Sequence, residues 1–185
     1  MVGKSTVSVL LAAKLLYPCI SADDIGEILQ AVLDINPMKG KFYLDYYSDS
    51  RNEQLITDIV AYHRQLEKSI CRLIEIHSSW GGPLIIEGWA LYPNMLAEVK
   101  SDNVFSVWLI AENNLLKQRM LKSNFYQGAN NPEKVIENYL YRSEWHNDTI
   151  FEQCRTQNQK FLMVNEHTSP DEIVSKIFEM INTNK

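Results

Sequence analysis

The chain has 185 residues, of which 45% are hydrophobic and 22% are charged, and its formal net charge is -5. This length and composition predict one folded domain with a single core and exclude a largely disordered protein. Because the basic residues are scattered and no apolar run approaches the roughly 20 residues that span a membrane, neither nucleic acid nor a membrane is expected as a partner.

Apolar periodicity divides the chain into alternating helices and short strands. Residues 52–78 give the clearest pattern, because their apolar positions step by three and four along one face of a long helix. Residues 34–50 mix Pro, Gly and aromatic residues without a period, which predicts a loop or lobe. The other segments predict, in chain order, helix 5–16, strand 19–25, helix 25–33, strand 84–86, strand 104–111, helix 112–123, loop 124–131, helix 132–158, strand 160–165 and helix 169–182. Unbroken apolar strands that alternate with helices predict an α/β fold, a parallel sheet flanked by helices.

The stretch Gly3-Lys4-Ser5-Thr6 runs directly into the first predicted helix. In the phosphate-loop pattern GxxxxGK[ST], backbone N–H groups cradle phosphates, the Lys contacts the terminal phosphates and the hydroxyl binds Mg²⁺. The alternative is an ordinary helix N-terminus capped by Ser5 or Thr6. Two later strands each end in an acid, which favours the second half of a phosphate loop.

The strand and the first glycine of that pattern would lie before Met1. In this architecture the strand would be central, so its absence is expected to leave two neighbouring strands with unpaired backbone groups and a gap in the core. We expect a chain of this length to be unstable or to bind nucleotide poorly. An upstream extension is expected to encode an apolar strand and a glycine-rich turn.

The motifs GKST, ISADDI and IIEGWALYP together resemble those of the P-loop NTPases, in the branch of small-molecule and nucleoside monophosphate kinases. The 2-phosphoglycerate kinase type shows the same three motifs, and the likeness covers nearly the whole chain in layout. It implies a three-layer P-loop NTPase fold with a five-stranded parallel sheet whose first strand is missing here. It also implies ATP and Mg²⁺ as cofactors and a small metabolite as phosphoryl acceptor. The single domain, 1–185, would contain a substrate lobe at 34–80 and a lid at 119–142.

The resemblance assigns roles to the phosphate loop. Lys4 would neutralise charge on the transferred phosphoryl group, since this reaction depends on positioning and electrostatics. Ser5 would hold Mg²⁺, and Gly3 and Thr6 would complete the cradle for the nucleotide phosphates.

Acids that follow two of the strands are further candidates. Asp24 would orient or deprotonate the acceptor or bind the water shell of the metal. Asp23 is the competing choice, because the exact end of the strand decides which acid faces the site. Glu87 would be a metal ligand at the nucleotide crevice, and the alternative is a solvated residue at a strand end.

Two arginines bracket the polar loop between the fourth and fifth predicted helices. In the relatives a lid at this place closes over the phosphates, so Arg119 and Arg142 would be catalytic, with Lys122 in support. A surface ion pair is the alternative for each of them. Before the last strand, Arg155 and Gln157 stand where relatives contact the adenine.

Three groups of residues carry weaker expectations. Aromatic and proline side chains after the second predicted strand would line an acceptor pocket or pack in the core, namely Trp89, Tyr92 and Pro93. Basic residues of the substrate lobe would meet an acidic substrate, namely Lys39, Lys41, Arg51 and Arg64. Histidines without metal-ligand spacing are expected to have structural or surface roles, namely His63, His77, His146 and His167.

The cysteines Cys19, Cys71 and Cys154 lack the spacing of a zinc site or a disulfide framework, so we expect a cytoplasmic protein. No pattern predicts an oligomeric state. The function that the sequence favours is ATP-dependent phosphoryl transfer to a small metabolite. A nucleotide-binding regulatory or toxin-like protein without metabolic kinase activity is the first alternative, and a non-catalytic scaffold is the second.

Overall fold

The computed structural model describes residues 2–33, 35–36, 38, 40–97, 99, 101–112 and 114–183. Helices and short strands alternate along these ranges, as the apolar pattern predicts. The helices are α1 (Lys4–Leu15), α2 (Ala22–Leu33), α3 (Tyr43–Asp49), α4 (Asn52–Ser79), α5 (Pro93–Ala97), α6 (Leu115–Ser123), α7 (Pro132–Thr156) and α8 (Pro170–Asn182). The strands are β1 (Cys19–Ser21), β2 (Ile85–Glu87), β3 (Trp108–Ala111) and β4 (Phe161–Val164).

The strands form two separate parallel sheets of two strands each. In the first sheet β1 pairs with β2, from Cys19 opposite Ile85 to Ser21 opposite Glu87. In the second sheet β3 pairs with β4 in the same parallel sense. Parallel pairing between strands that helices connect is confirmed, and the strands of the described residues form two small parallel sheets.

A largely apolar cavity of about 550 Å³ separates the two sheets. Residues 84–89, which include β2, line one side, and residues 104–109, which include the start of β3, line the other. In the described ranges β2 pairs only with β1, and β3 pairs only with β4. The other edge of β2 and the other edge of β3 therefore have no partner strand there and border this cavity. The cavity therefore lies between the two pairs of strands.

Helix α1 is held in place by apolar packing on several sides. Val7 and Leu11 belong to a buried cluster with Val164 of β4 and Ile177 of α8. The same helix also contacts β1 and β2. This packing fixes the N-terminus of α1 beside the carboxyl end of β2, where the site described below is found.

Most long elements agree with the sequence prediction, and the short ones differ. Helix α4 and the N-cap of α8 are confirmed, since the side chain of Ser169 accepts a hydrogen bond from the backbone N–H of Glu172. Helix α2 begins at Ala22, earlier than predicted, and Asp23 and Asp24 therefore lie in its first turn instead of in a strand. Helices α3 and α5 were not predicted, because they have 7 and 5 residues and are too short for a helical period. Within the described ranges, no helix has both the length and the apolar character needed to cross a membrane.

Candidate active site

Helix α1 begins without a side-chain cap. Gly3 is its N-cap residue, with φ of 103°, a left-handed conformation that glycine adopts at little cost. The first intrahelical hydrogen bond runs from the N–H of Val7 to the carbonyl of Gly3, at 3.1 Å. The N–H groups of Lys4, Ser5 and Thr6 precede that bond, so they are available to an anion that the helix dipole also favours.

A cavity of about 150 Å³ lies at this end of the helix. It is lined by Gly3, Lys4, Ser5, Thr6, Asp23, Glu87 and Trp89. Because Ser21 pairs with Glu87 in the first sheet, the start of α2 and the end of β2 meet at the same edge. The structure therefore brings residues 3–6 together with Asp23, one of the two acids that follow β1, and with Glu87, the acid that ends β2.

Asp23 lines this cavity, and Asp24 does not. Both carboxylates are exposed, and both lie in the first turn of α2. Successive residues of a helix point in directions about 100° apart, so only one of the two is directed towards Lys4. Of the two acids that the sequence left open, the structure brings Asp23 to the loop.

The Lys4 ammonium has both negative and aromatic neighbours. Burial lowers the pKa of Lys4, while the nearby carboxylates of Glu87 and Asp23 oppose this effect. Its Nζ atom lies 5.0 Å from the centre of the Trp89 ring. Lys4 is therefore a half-buried cation whose charge is partly compensated by the chain itself.

Gly88 allows the chain to turn immediately after Glu87. Its φ is 151°, and a Cβ at this position would lie only 2.6 Å from the Cβ of Ala22. Any larger residue would push β2 away from the start of α2, which carries Asp23. The glycine therefore keeps the two acids together.

Both predicted lid arginines reach this region. A Cβ at Gly3 would lie 3.1 Å from an Nη atom of Arg119, so the guanidinium of Arg119 lies against the N-terminus of α1. The Cζ atom of Arg142 is 4.5 Å from the centre of the Trp89 ring. Since Lys4 contacts the same ring, Trp89 lies next to both Lys4 and Arg142.

Other predicted site residues have different surroundings. Arg155 at the end of α7 is exposed, 3.6 Å from a carboxylate oxygen of Glu152, and Gln157 is the C-cap residue of that helix. Lys122 is exposed in the last turn of α6. None of these three residues lines the cavity at the loop.

The basic residues predicted in the substrate lobe do not converge on the cavity either. The Nζ atom of Lys41 donates to a carboxylate oxygen of Asp49 at 2.8 Å, and Arg51 and Arg64 are exposed. Lys39 lies outside the described residues. The predicted substrate lobe instead contributes an aromatic side chain, that of Tyr47.

Arg142 is surrounded by aromatic rings. Its Cζ atom lies 5.1 Å from the ring centre of Tyr139 and 5.2 Å from that of Tyr47, in addition to its contact with Trp89. We call these four residues the Arg142 cage. The Nε atom of Arg142 is buried and has no hydrogen-bond partner.

Asn138 joins the two helices that form the cage. It is fully buried, and its amide nitrogen donates to the carbonyls of Tyr47, at 2.6 Å, and Ser50, at 2.8 Å. These bonds tie the end of α3 to α7, one helical turn before Arg142. Tyr47 is therefore held against Arg142 by a buried polar link.

Two buried histidines lie beside Trp89. The Nε2 atom of His146 is 2.8 Å from the carbonyl oxygen of Trp89, which makes Nε2 the protonated nitrogen, and Nδ1 of His63 is 2.9 Å from the hydroxyl of Tyr92. Burial lowers the pKa of His63 to about 3 and that of His146 to about 4. Both rings are neutral at ordinary pH, which fits the structural roles expected for them.

The tyrosines of the Arg142 cage were not predicted as site residues. Tyr47 lies on α3, and Tyr139 and Arg142 are three residues apart on α7. This spacing places Tyr139 and Arg142 on one helical face, but the pattern of residues 34–50 predicts a loop instead of α3. Pairing of the two helices is a long-range contact that the local pattern does not contain.

No protein-family model matches the chain, and no curated protein matches it. Among solved structures, it is similar to a crystal structure of "a putative kinase" from Chloroflexus aurantiacus. The identity is 18% and the TM-score 0.50, over 100% of this chain and 92% of the other. At this identity the likeness shows the fold, a mixed α/β arrangement with helices around small parallel sheets.

Proposed function

We propose that the protein is an ATP-dependent phosphotransferase that acts on a small metabolite. The observation that carries this proposal is the convergence of Lys4, Glu87 and Asp23 on the uncapped N-terminus of α1. The name of the Chloroflexus structure supports kinase chemistry on this kind of fold. Arg119 would add a second positive charge at the loop.

The residues at the loop suit a nucleotide and a divalent cation. Open backbone N–H groups and Lys4 suit phosphate oxygens, while the Ser5 hydroxyl and the carboxylates of Glu87 and Asp23 are the oxygen ligands that Mg²⁺ prefers. In the described part of the chain, no group of three or more His, Cys, Asp and Glu side chains could hold a metal. Magnesium would therefore need phosphate oxygens as ligands, which is usual for this ion.

Each loop residue would have a distinct task in the reaction. Bound Mg-ATP would supply the phosphoryl group and neutralise part of its charge. Lys4 would donate to an oxygen of that group, and Glu87 would keep Lys4 charged despite its burial. We take Asp23, the acid on the cavity wall, to orient the hydroxyl or phosphate of the acceptor.

The test compares Lys4→Met with Lys14→Met, a control at the exposed far end of the same helix. Wild-type protein and Lys14→Met should be stabilised by Mg-ATP and should release ADP when an acceptor from a metabolite panel is added. Lys4→Met should reduce phosphoryl transfer by about a thousandfold, because it removes a preorganised charge. Unchanged transfer in Lys4→Met would refute the proposal, and Mg-ATP binding without transfer to any acceptor would favour a nucleotide-binding regulator.

We further propose that the fold is that of a P-loop NTPase, with the two sheets as the halves of one five-stranded sheet. The apolar cavity between β2 and β3 supports this proposal, since both strands border it and both belong to parallel pairs. One apolar strand placed there would pair with both edges and cover Ile85, Ile86 and Leu109. Its end would then lead into Gly3.

A fusion at the N-terminus tests the sheet. One variant would carry a five-residue apolar strand and a glycine-rich turn before residue 1, and its control would carry a Gly-Ser segment of equal length. The apolar fusion should raise the midpoint of thermal unfolding by several degrees, because about 25 cal/mol is gained per Å² of apolar surface buried. Equal midpoints for the two fusions would show that the cavity does not accept a strand.

A further inference from the structure

Trp89 lies between the two cavities described above. It lines the small polar cavity at the N-terminus of α1 and also the large apolar cavity between the sheets. Its ring centre is 5.0 Å from the Nζ atom of Lys4, so the position of the ring limits the positions open to that ammonium. The preceding residue, Gly88, has no side chain that could restrain the turn after β2. The orientation of Trp89 must therefore be fixed by another element.

His146 of α7 supplies this restraint. Its Nε2–H donates to the carbonyl oxygen of Trp89 at 2.8 Å, and its ring meets the indole edge to face, with 4.9 Å between the ring centres. Burial lowers the pKa of His146 to about 4, so the ring stays neutral at ordinary pH and Nε2–H is its single ring donor. His146 therefore contacts both the backbone and the side chain of Trp89.

The next residue of α7 holds the second sheet. The side-chain amide of Asn147 accepts from the N–H of Ala111 at 2.7 Å and donates to the carbonyl of Ala111 at 3.2 Å, at the end of β3. Successive helical residues point about 100° apart, which lets His146 and Asn147 reach different strands. Within the described ranges no strand pairing joins the two sheets. These two neighbouring side chains therefore link the carboxyl ends of β2 and β3 to one helix.

We propose that His146 is a positioning residue of the active site, which holds Trp89 beside Lys4 through its hydrogen bond to the Trp89 carbonyl. We call this hydrogen bond the tether. The inference rests on the proposed function, in which Lys4 contacts the transferred phosphoryl group. A displaced Lys4 would leave the N–H groups of α1 open to Mg-ATP but would stabilise the transition state less. Loss of the tether should therefore lower kcat more than it raises KM for Mg-ATP.

Three variants of the full chain test the tether. His146→Phe keeps an aromatic ring beside Trp89 and removes the donor, whereas His146→Gln loses the ring and keeps an N–H donor. Asn147→Ala is the matched control, because it removes hydrogen bonds from the adjacent residue of the same helix, but to the other sheet. Backbone hydrogen exchange in segments 88–91 and 109–112 is followed by mass spectrometry without nucleotide.

The exchange pattern should differ between the two positions. His146→Phe should exchange about tenfold faster at 88–91 and like wild type at 109–112, because one lost hydrogen bond makes local opening easier by about that factor. Asn147→Ala should show the reverse pattern, and His146→Gln should stay within about threefold of wild type in both segments. Wild-type exchange at 88–91 in His146→Phe would overturn the inference. Faster exchange of both segments in both variants would also overturn it, since His146 would then act only through general stability.

Steady-state phosphoryl transfer separates positioning from stability. His146→Phe should lower kcat by about tenfold and change KM for Mg-ATP by less than about twofold, and His146→Gln should restore most of kcat. Asn147→Ala should keep the wild-type kcat even if urea unfolding shows it to be the less stable variant. A wild-type kcat in His146→Phe, or an equal loss in Asn147→Ala, would contradict the positioning role. Faster exchange confined to 88–91 in His146→Phe, in a chain that transfers phosphate to no acceptor, would retain the tether and refute the proposed function.

Discussion

Two cations on the same tryptophan have opposite surroundings. Lys4 contacts Trp89 within a polar cavity that also contains Glu87 and Asp23, while Arg142 contacts it among tyrosine rings. Among the described residues, two carboxylates lie near the first cation, whereas tyrosine rings surround the second. The charge of Lys4 is therefore offset by carboxylates, whereas that of Arg142 is offset by the faces and hydroxyls of aromatic side chains.

The largest effect should come from removing the negative charge of Glu87, which opposes the effect of burial on Lys4. Glu87→Gln keeps the shape of the side chain and removes its charge, so the pKa of Lys4 should fall further below its usual value. We expect phosphoryl transfer to decrease by about a hundredfold, because a charge fixed at the loop is lost. Steady-state ADP release measures this effect.

Glu179→Gln, an exposed position on α8, is the matched control and should keep wild-type activity. Unchanged phosphoryl transfer in Glu87→Gln would contradict this prediction, because Lys4 would then not depend on that carboxylate.

The next effect concerns the backbone that holds the polar cavity together. Gly88→Ala would place a Cβ against Ala22 at a residue with φ of 151°, so the free energy of unfolding should fall by about 1–3 kcal/mol. Gly82→Ala is the control, because a Cβ there meets no atom within 4 Å. Urea unfolding measures both variants, and equal losses would show that close approach at Gly88 is unimportant.

The polar half of the site could be predicted from the sequence because its signals are local. Lys4 and Ser5 stand at the start of an apolar helical pattern, and Glu87 ends an unbroken apolar strand. Parallel strands align their carboxyl ends at one edge, so the meeting of loop and acid follows from strand order. The choice between Asp23 and Asp24 could not be predicted, because it depends on the residue at which β1 ends and α2 begins.

The aromatic half could not be predicted, because it depends on tertiary contacts. Arg142 was expected at the phosphates on the basis of the lid resemblance, but its tyrosine neighbours come from a helix too short to show a period. Asn138 links α3 to α7 across a sequence separation of 91 residues. Such a link leaves no periodic pattern in either segment.

A smaller effect should appear as the pH falls. His63 is buried, and its pKa is lowered from 6.5 to about 3, chiefly by desolvation. Its depressed pKa means that the unfolded chain binds the proton first, so stability is complete above pH 6.5 and is lost as the pH falls towards 3. The expected slope for this residue is at most about 1.4 kcal/mol per pH unit.

Urea unfolding at pH values from 7 to 5 measures this slope. His63→Gln should flatten it, and His167→Gln, at an exposed turn, should not change it. An unchanged slope in His63→Gln would show that another group controls the acid response.

The smallest effect distinguishes two neighbouring acids. Asp23 lines the cavity of Lys4 and Asp24 does not, so Asp23→Asn should lower kcat/KM for Mg-ATP by about tenfold, while Asp24→Asn should change it by less than about twofold. The two variants remove the same charge from the same exposed helical turn, so each is the control for the other. Equal effects would mean that only the total negative charge near Lys4 matters. A larger effect of Asp24→Asn would mean that α2 rotates when nucleotide binds, since that acid would then have to reach the loop.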